Sequence, residues 1–570
     1  MIEKSRPLGA VLAVASTLWL PAGQIAAQPA PATSPQAPPA PSDAPPAAPT
    51  EEQRLNELRN TVINLLQSLV QKGVLTREQA DAMVKAAQEK AAADMAAAQQ
   101  QEKQEAGAVR VPYVPQIVKD QISKEVVQEL GPDIKKQVMD EVGSKGSLFS
   151  ALPEWVQRMR WSGDIRVRGE GDDFANNNPT NTYLDFNEVN SAGGIAQAGQ
   201  LAFLNTTEDQ NRLRLRLRFG FDTDLGDGWS ASLRLATGST GEVIATTNQT
   251  LGTYGAGYTV TVDQGFIGWT GQSSSGSQIF TGTAGRFANP WLGTDMVWYN
   301  DLTFEGLVSN YRLNFSSDNE HRHDLFATLA ALPLTSFSPF NSDPTNQQKW
   351  LLGGQLGLDF NTEDDSRFRF AAAYYDYLHI VGQRNAPDST LLDWTAPAFV
   401  QKGNTMFNIA NDPTNPNAGL YGLASNFRIV DLIGVEDFHV LPRYSVLVTL
   451  EALKNVGFNT AQVMANTGEY VAPRTRGYRA DLGFGSSTMG AFGTWRASVG
   501  YRYLQRDAVL DAFNDEDFHL GGTDTKGYTL MFDFSINPRV WMRMKYMAAD
   551  AIDGPPLTID VWQLDLNTHF

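Results

Sequence analysis

The feature that most constrains this chain is the segment from Arg212 to Phe221, in which apolar and polar positions alternate without interruption. Leucine or phenylalanine stands at every second position, and the residues between them are arginine or glycine. Because successive side chains of a β-strand point to opposite faces, this strand has one apolar and one polar face. The same period of two recurs from Trp161 to Phe570. A soluble antiparallel sheet shows the same alternation, so the connections must decide.

The connections between the candidate strands alternate in length. We count 16 candidate strands, which begin near residues 161, 211, 228, 260, 277, 302, 322, 349, 366, 439, 458, 476, 493, 525, 539 and 558. The predicted short connections are 222–227, 271–276, 314–320, 361–366, 453–457, 486–492 and 537–538. The predicted long connections are 171–210, 239–258, 288–301, 333–348, 379–438, 467–475, 507–524 and 549–557. Short turns at one end and long loops at the other are typical of bacterial outer-membrane barrels.

The sequence therefore predicts an all-β transmembrane barrel of about 16 antiparallel strands over residues 159–570, preceded by a short α-helical coiled-coil region. An even number of strands places both ends of the barrel on the periplasmic side. The final strand ends on an aromatic residue that lies on its apolar face, and this pattern is typical of an outer-membrane insertion signal. The residues of that predicted signal, which would bring the barrel to the insertion machinery, are Trp562, Leu564, Leu566 and Phe570.

The N-terminal region differs in composition from the predicted barrel. Residues 1–27 combine basic residues, a short apolar stretch and a small-residue cleavage site after Ala27, which predicts a secretory signal peptide. A membrane anchor is the alternative, but the apolar stretch from Leu8 to Leu20 is short for a transmembrane helix. Residues 28–49 contain nine prolines and predict an extended linker.

Residues 50–106 predict a periplasmic coiled coil, and residues 107–158 a linker with short helices. The apolar seam of the first helix has strict three-four spacing, and it consists of Leu55, Leu58, Val62, Leu65 and Leu69. The seam has two interpretations: it pairs with the second helix as a hairpin, or it joins several copies of the chain. We expect the second and, by analogy with porins, a homotrimer. Contact with peptidoglycan is a further expectation.

The polar faces of the strands would line the lumen of a barrel of this size. Arginine facing lipid costs about 2–4 kcal/mol at mid-membrane, so basic residues on these faces are expected to point inward. The predicted pore-lining residues are Arg166, Arg168, Arg212, Arg214, Arg216, Arg218, Arg367, Arg369, Arg479, Arg496, Arg502, Arg543 and Lys545. A basic stripe favours anions. Acidic residues would offset it, and the candidates are Asp164, Glu170, Glu305, Asp359, Glu451, Asp481 and Asp533. Anion preference, general diffusion and cation preference therefore all stay open.

Three long connections have alternative interpretations. The connection 288–301, rich in aromatic residues, either folds into the lumen or lies in the interfacial aromatic belt. The connection 379–438 is an external cap, an inward constriction or a contact with neighbouring molecules. Acidic residues of 507–524 are expected in an outer loop, where divalent cations would bridge them to lipopolysaccharide, and they are Asp511, Asp515, Glu516 and Asp517. Outer-membrane lipid and lipopolysaccharide are the expected surroundings.

Two segments carry a resemblance to a known family. The segment Val111–Pro115 with the charged helix after it, and Leu152–Trp155 leading into Trp161–Arg168, resemble the bacterial "putative porin" family. The resemblance implies an outer-membrane porin with an N-terminal periplasmic coiled coil. Its implied function is a water-filled channel for the passive diffusion of small hydrophilic solutes or ions.

Composition excludes several other classes of protein. The net charge of -18 argues against a nucleic-acid binder, and the absence of cysteine excludes thiol chemistry. Six histidines, none in a recognisable motif, argue against an enzyme, and we expect no cofactor and no metal. Asp222–Gly228 lacks the bidentate Glu of a calcium loop and is interpreted as a hairpin turn. A structural envelope tether and an outer-membrane hydrolase stay as alternatives.

Overall fold

The computed structural model describes residues 154–238, 243–244, 247–316, 322–336, 347–415 and 418–570. The signal peptide, the proline-rich linker and the coiled coil lie outside these residues, as does nearly all of the 107–158 linker. The seam residues Leu55, Leu58, Val62, Leu65 and Leu69 lie outside them as well. Those expectations stay predictions.

Sixteen long strands of the described residues form one closed antiparallel sheet. The strands are β1 (Met159–Phe174), β2 (Gln210–Gly226), β3 (Trp229–Thr237), β4 (Gln249–Thr250), β5 (Val260–Gln272), β6 (Gln278–Ala288), β7 (Thr303–Asn314), β8 (His323–Pro333), β9 (Trp350–Asn361), β10 (Arg367–Leu378), β11 (Met406–Asn408), β12 (Tyr421–Leu423), β13 (Arg428–Leu441), β14 (Tyr444–Asn455), β15 (Arg476–Ser486), β16 (Trp495–Leu504), β17 (Thr525–Asn537), β18 (Val540–Ala551) and β19 (Thr558–His569). Each long strand pairs with the long strands before and after it, and β1 closes the ring by pairing with β19. The predicted 16-stranded antiparallel barrel is confirmed.

The remaining elements are short and lie in the connections. β4 is a two-residue strand on β2, and β11 pairs with β12 in a separate small sheet. The helices are α1 (Glu154–Gln157), α2 (Phe186–Ala192), α3 (Ile195–Ala198) and α4 (Thr460–Thr467). Single 3-10 turns occur at Gly199–Ala202, Asp393–Thr395, Asp511–Phe513 and Phe518–Leu520. Among the described residues, no helix has the length and apolarity needed to cross a membrane.

The two ends of the barrel differ as the sequence predicts. At the end where β1 begins and β19 ends, the strands are joined by short turns, and at the other end by long loops such as 175–209 and 379–427. Asp227 and Gly228 join β2 to β3 with φ angles of 51° and 81°. Positive φ at both central residues matches the right-handed twist of a hairpin, and Asp-Gly adopts it at low cost. The hairpin interpretation of Asp222–Gly228 therefore holds.

One region of the strand assignment was wrong. The sequence placed strands near residues 439 and 458 with a turn at 453–457, whereas β13 already begins at Arg428 and the turn to β14 is at 442–443. The 458–467 region instead contains helix α4, whose first turn is capped by the side chain of Asn459. The long loop is therefore 379–427 rather than 379–438. All other predicted strand starts agree to within two residues.

The composition of β13 explains this error. Ile429 and Ile433 are buried in the lumen, while Val430 and Leu432 are exposed on the outer face of the same strand. Apolar residues on both faces of a strand interrupt the period of two, so its alternation is hard to detect from sequence. Ile429 belongs to a buried apolar cluster inside the barrel, and the buried Asp431 lies between the two isoleucines on the same face.

The outer face of the barrel is apolar. Exposed leucines such as Leu213, Leu329, Leu356 and Leu432 alternate with the lumenal residues. Aromatic rings gather near the turn end, where Trp161 stacks on Phe219 with ring centroids 5.4 Å apart, and where Tyr444 stacks on Phe484. An apolar band with an aromatic girdle is the surface that a bilayer requires.

The final strand carries the predicted insertion signal on this outer face. Trp562, Leu564 and Leu566 are each more than two-fifths exposed. Phe570 exchanges backbone hydrogen bonds with Gly163 of β1, both at 3.0 Å, so the last residue closes the barrel. Its role in insertion stays a prediction.

Candidate channel constriction

The predicted arginine ladder projects into the lumen. Arg166 and Arg168 of β1 lie directly opposite Arg216 and Arg214 of β2 in the strand register. Like charges placed opposite one another destabilise a sheet unless anions lie between them. The structure supplies these anions from the wall itself and from loops that fold inward.

Asp164 and Asp301 neutralise the half of the ladder that is nearer the short turns, formed by Arg216 and Arg218. The guanidinium groups of Arg216 and Arg218 both donate to Asp164, at 2.9 and 2.7 Å, and both donate to Asp301, at 2.7 and 3.0 Å. Asp164 belongs to β1, whereas Asp301 comes from the loop between β6 and β7. Because each carboxylate is shared, two acids balance two arginines.

The half of the ladder that is nearer the long loops is neutralised in the same way. Arg212 donates to Glu170 at 2.8 Å and to Asp172 at 2.5 Å. Arg168 lies 2.7 Å from Asp565 of β19 and 2.9 Å from Asp517 of the loop between β16 and β17. Arg168 is only 5% exposed. A buried guanidinium of this kind must be ion-paired, since an unpaired buried charge costs several kcal/mol.

Most other predicted pore-lining residues are also paired. Arg479 pairs with Asp481 and Asp295, Arg502 with Asp295 and Asp515, Arg543 with Asp533, Lys545 with Asp515, and Arg367 with Asp359. Arg496 donates to the carbonyl of Ser486 at 3.0 Å, Arg166 to Asn248, and Arg214 to Glu170. Arg369 donates no hydrogen bond to any of the residues that the structure describes. Of the acidic candidates, Glu305 is 60% exposed and pairs with Arg286 rather than with the ladder.

The loop 289–302 folds into the lumen, as one of its two interpretations predicted. Met296, Val297 and Trp298 are at most 1% exposed. Gln355 of β9 holds the loop by accepting from the Leu292 N–H at 2.9 Å and donating to its carbonyl at 2.7 Å. Farther along, the carboxylate of Glu451 accepts from the N–H and the hydroxyl of Thr294. The loop is therefore fixed to the wall at two points.

The loop 505–524 also folds inward, which sequence reasoning missed. It was expected to lie outside, but Asp511, Asp515 and His519 are at most 3% exposed. The available signal was the apolar content of the loop, because Leu510, Phe513 and Phe518 alternate with its acids. In a solvated outer loop these residues would have no core to enter.

A short segment of the large 379–427 loop clamps the 505–524 loop from above. Asn404 donates to the carbonyls of Arg506 and Val509, at 2.7 and 2.9 Å. Thr405 donates to Asp507 through both its N–H and its hydroxyl. Lys402 contacts His519 at 2.8 Å, and burial lowers the pKa of Lys402 to about 7. Of the three expectations for the large loop, the structure therefore favours an inward contact.

The two inward loops pack directly on each other. The N–H of Tyr299 donates to the carbonyl of Phe513 at 2.8 Å, and the N–H of Asp515 donates to the carbonyl of Asp295 at 2.9 Å. The ring of Trp298 meets Phe513 at 6.1 Å. Together the loops form one internal partition whose acidic tips face the arginine ladder. The tip residues are Asp295, Asp301, Asp515, Glu516 and Asp517.

The partition separates two chambers in the lumen. An outer chamber of about 420 Å³ lies toward the long loops, and an inner chamber of about 470 Å³ lies toward the short turns. Asp517 lines both chambers and therefore marks the constriction between them. Nine of the thirteen predicted pore-lining residues line one chamber or the other, namely Arg166, Arg168, Arg212, Arg214, Arg216, Arg479, Arg496, Arg543 and Lys545.

The two chambers differ in charge. Seven basic and seven acidic side chains line the inner chamber, so it is balanced. Five acidic and two basic side chains line the outer chamber, so it is negative. The arginine ladder therefore does not make the lumen positive as a whole.

The acidic tips differ in how firmly they hold a negative charge. Burial raises the pKa of Asp517, but the cations of Arg168, Lys545 and Arg214 outweigh burial and hold it well below its usual range. Burial and the neighbouring charge of Asp517 raise the pKa of Glu516 to about 7. Burial also raises the pKa of Asp515. Glu516 is therefore a tip residue whose charge changes near neutral pH.

The histidine and acidic side chains of the site bear on metal binding. In the part of the chain that the structure describes, no group of three or more His, Asp or Glu side chains could hold a metal ion. The Nε2 of the buried His519 donates to the carbonyl of Leu557 at 2.9 Å, and its Nδ1 lies 2.8 Å from Nζ of Lys402. Burial and Lys402 lower the pKa of His519 well below its usual value. Its contacts anchor a loop.

A closed 16-stranded barrel with an apolar outer face and a charged, constricted lumen defines a channel-forming protein of the outer membrane. The chain belongs to the "Putative porin" family, whose model matches residues 59–570. Family and fold point to a channel rather than an enzyme. None of the curated proteins matches this sequence.

Solved porins are similar to this chain at low sequence identity. The high-pH structure of OprB from Pseudomonas putida shares 10% identity and covers 73% of this chain and 96% of its own, with a TM-score of 0.40. A loop-deletion mutant of OmpT from Vibrio cholerae shares 9% identity and covers 72% and 99%, with a TM-score of 0.35. OmpF from Salmonella typhi shares 10% identity and covers 72% and 97%, with a TM-score of 0.36.

Proposed function

We propose that this protein is a water-filled channel through which small hydrophilic solutes and ions cross the outer membrane by passive diffusion. The observation that carries the proposal is the pair of charged chambers that meet at Asp517 inside a closed barrel. Charged chambers of this kind are hydrated, and a polar lumen is what distinguishes a porin from a barrel with a packed core.

Liposome swelling tests the passive-diffusion proposal directly. We expect proteoliposomes to swell in isotonic arabinose and more slowly in isotonic sucrose, since the constriction sieves by size. Protein-free liposomes and liposomes with heat-denatured protein serve as controls. Swelling at the protein-free rate by correctly folded protein would count against a channel and would favour the envelope-tether alternative.

We further propose that ion selectivity is weak near pH 8 and that an anion preference grows as the pH falls. The balanced inner chamber supports the first part, because each arginine of the ladder has a carboxylate beside it. The pKa of Glu516 supports the second part, because that carboxylate loses its charge below about pH 7 while Asp517 keeps its own.

Lowering the pH from 8 to 6 is expected to raise the anion-to-cation permeability ratio by at least about fivefold. One unit charge about 4 Å from an ion in water contributes about 1 kcal/mol, which is about fivefold for each ion and acts in opposite directions on anions and cations. The measurement is the reversal potential under a KCl gradient at each pH. Glu516→Gln is expected to show the low-pH ratio at both pH values. A titration of Glu516→Gln that matches the wild type would assign the effect to another group.

Replacing Arg214 and Arg216 together by alanine is expected to shift the channel toward cations by several-fold. The change leaves Glu170 and Asp301 with fewer cationic partners, so the constriction becomes more negative. The reversal potential at pH 8 measures the shift, and Arg539→Ala in an exposed turn is the control. Unaltered selectivity in the double variant would show that the arginine ladder does not set the ion selectivity.

The N-terminal region enters the proposal as an anchor for assembly. We propose that residues 50–106 lie in the periplasm after removal of the signal peptide and that their seam joins three barrels. The barrel supports this placement because β1 begins at the short-turn end. Deletion of residues 28–110 is expected to leave conductance intact and to reduce the cross-linked trimer, and an unchanged yield of cross-linked trimer would contradict a role of the seam in assembly.

A further inference from the structure

A third cavity lies inside the barrel beneath the inward loop 289–302. It has a volume of about 340 Å³ and is walled by strands β6 to β10. Trp291 of the loop and Phe326 of β8 supply aromatic lining, and Asn310 and Thr328 supply polar lining. The cavity is distinct from the two chambers that meet at Asp517, since it shares no lining residue with either of them.

Arginines outnumber carboxylates in the lining of this cavity. Arg312, Arg367 and Arg369 line it together with Asp359, and Asp324 beside the cavity accepts from Arg312 at 2.6 Å. Both oxygens of Asp359 accept from Arg367, at 2.8 and 2.7 Å, and one of them also accepts from Arg312 at 3.2 Å. The carboxylate is therefore fully engaged by two of the three arginines.

Arg369 is the third arginine of this cavity. It lies directly opposite Asp359 in the register of β9 and β10, yet the Asp359 carboxylate pairs with Arg312 and Arg367 instead. Arg369 is partly buried and has no ion pair and no hydrogen bond with any residue that the structure describes. A guanidinium in a cavity with five unused N–H donors is a site for an oxyanion, which it holds by paired, charge-assisted hydrogen bonds.

The side chains near Arg369 indicate what a bound oxyanion would carry beside its charged group. The guanidinium of Arg312 lies 5.9 Å from the centre of the Phe326 ring, so cations and aromatic surface are side by side. Ile279, Pro290 and Leu292 add apolar surface. A ligand that satisfies both parts has a carboxylate at one end and a flat apolar body at the other.

We propose that Arg369, with Arg312 and Arg367, binds the carboxylate of a small aromatic acid whose ring lies against Phe326 and Trp291. The inference rests on the proposed channel function and names a solute class for it. The cavity lies on the lumenal wall, so a bound acid would be held within the channel between entry and exit. Solute flux through the lumen would therefore saturate at high concentration for such acids.

Calorimetric titration of the folded, detergent-solubilised protein with benzoate tests this site. We expect benzoate to bind, and Arg369→Gln to weaken binding by about tenfold or more, as expected for loss of a charged hydrogen-bond partner. Arg369→Lys keeps the charge but loses the fork of donors, so an intermediate affinity is expected. Arg539→Gln in an exposed turn is the matched control, with affinity expected within twofold of the wild type.

The probes acetate and inorganic phosphate separate the parts of the proposal. Acetate is expected to bind at least tenfold more weakly than benzoate, because it lacks the ring. Phosphate binding as tight as benzoate binding, or equal benzoate affinity in wild type and Arg369→Gln, would overturn the proposal. Benzoate binding without any solute flux would support this site and contradict the channel function. Solute flux without benzoate binding would support the channel function and contradict this site.

Discussion

Neutralising three consecutive carboxylates, Asp515→Asn, Glu516→Gln and Asp517→Asn, is expected to make the channel strongly anion-selective. These side chains form the tip of the 505–524 loop and face Arg168, Arg214 and Lys545 across the constriction. The substitutions keep the shape of the side chains and remove their charges. The cations that remain would attract anions from both chambers, since rings of charge set selectivity in narrow pores.

The expected size of this effect is at least a tenfold rise in the anion-to-cation permeability ratio at pH 8, since each of the three carboxylates lines one of the two chambers. Glu363, Asp364 and Asp365 provide a matched control, because they are also three consecutive acids and all are exposed in the β9–β10 turn. Replacing them by Gln, Asn and Asn is expected to leave the ratio within twofold. Equal effects of the two triple variants would show that overall charge, rather than the constriction, sets selectivity.

Trp298→Ala is expected to increase the mean single-channel conductance several-fold and to add rapid current fluctuations. The ring of Trp298 is 1% exposed and packs edge-on against Phe304 and Tyr375, at 5.2 and 5.0 Å, so it fixes the partition to the wall. Replacing a buried tryptophan by alanine costs about 3–5 kcal/mol. Much of this loss of stability is expected in the inward loops, because backbone hydrogen bonds between the strands hold the barrel together.

Trp269→Ala is the control for this prediction. Trp269 also carries a large ring, but it lies on the outer face beside Phe280. Conductance of Trp269→Ala is expected to match the wild type in barrels that insert. If Trp298→Ala also conducts like the wild type with a steady current, the two loops do not form the constriction.

The barrel could be predicted from the sequence because its signal is local. In β2 the residues Leu213, Leu215, Leu217 and Phe219 each lie next to an arginine, and this alternation identifies both the strand and its two faces without knowledge of any partner. The same reasoning failed at β13, where Ile429 and Ile433 place apolar side chains on the lumenal face beside Asp431. Ile429 packs in a cluster with residues that are distant in sequence, such as Trp298 and Phe513, so the sequence of the strand alone does not predict its burial.

The ladder could be predicted as a row of lumenal charges, but its compensation could not. Arg168 is paired with Asp517 and with Asp565, which are 349 and 397 residues away in the sequence. Arg216 is paired with Asp301, 85 residues away. Counting charges shows that enough acids exist, but only the closed barrel and its inward loops decide which acids meet which arginines.

The inward course of the 505–524 loop has the same origin. Its acids suggested an exposed loop, and their burial is possible only because Arg168, Arg502 and Lys545 receive them and because residues 401–405 clamp the loop. Acidic composition predicts exposure when no partner is known, since burying a charge without one is costly. The partners here lie on three different strands.

Single-channel recording of the purified protein in a planar bilayer at pH 8, under a KCl gradient, tests the central claim most directly. Uniform conductance steps with a small reversal potential are the expected result, because ions in the proposed channel pass the inner chamber, whose charges are balanced. Steps in groups of three would support the trimer. A correctly folded protein that inserts and yet passes no current would contradict the claim that this barrel is a channel.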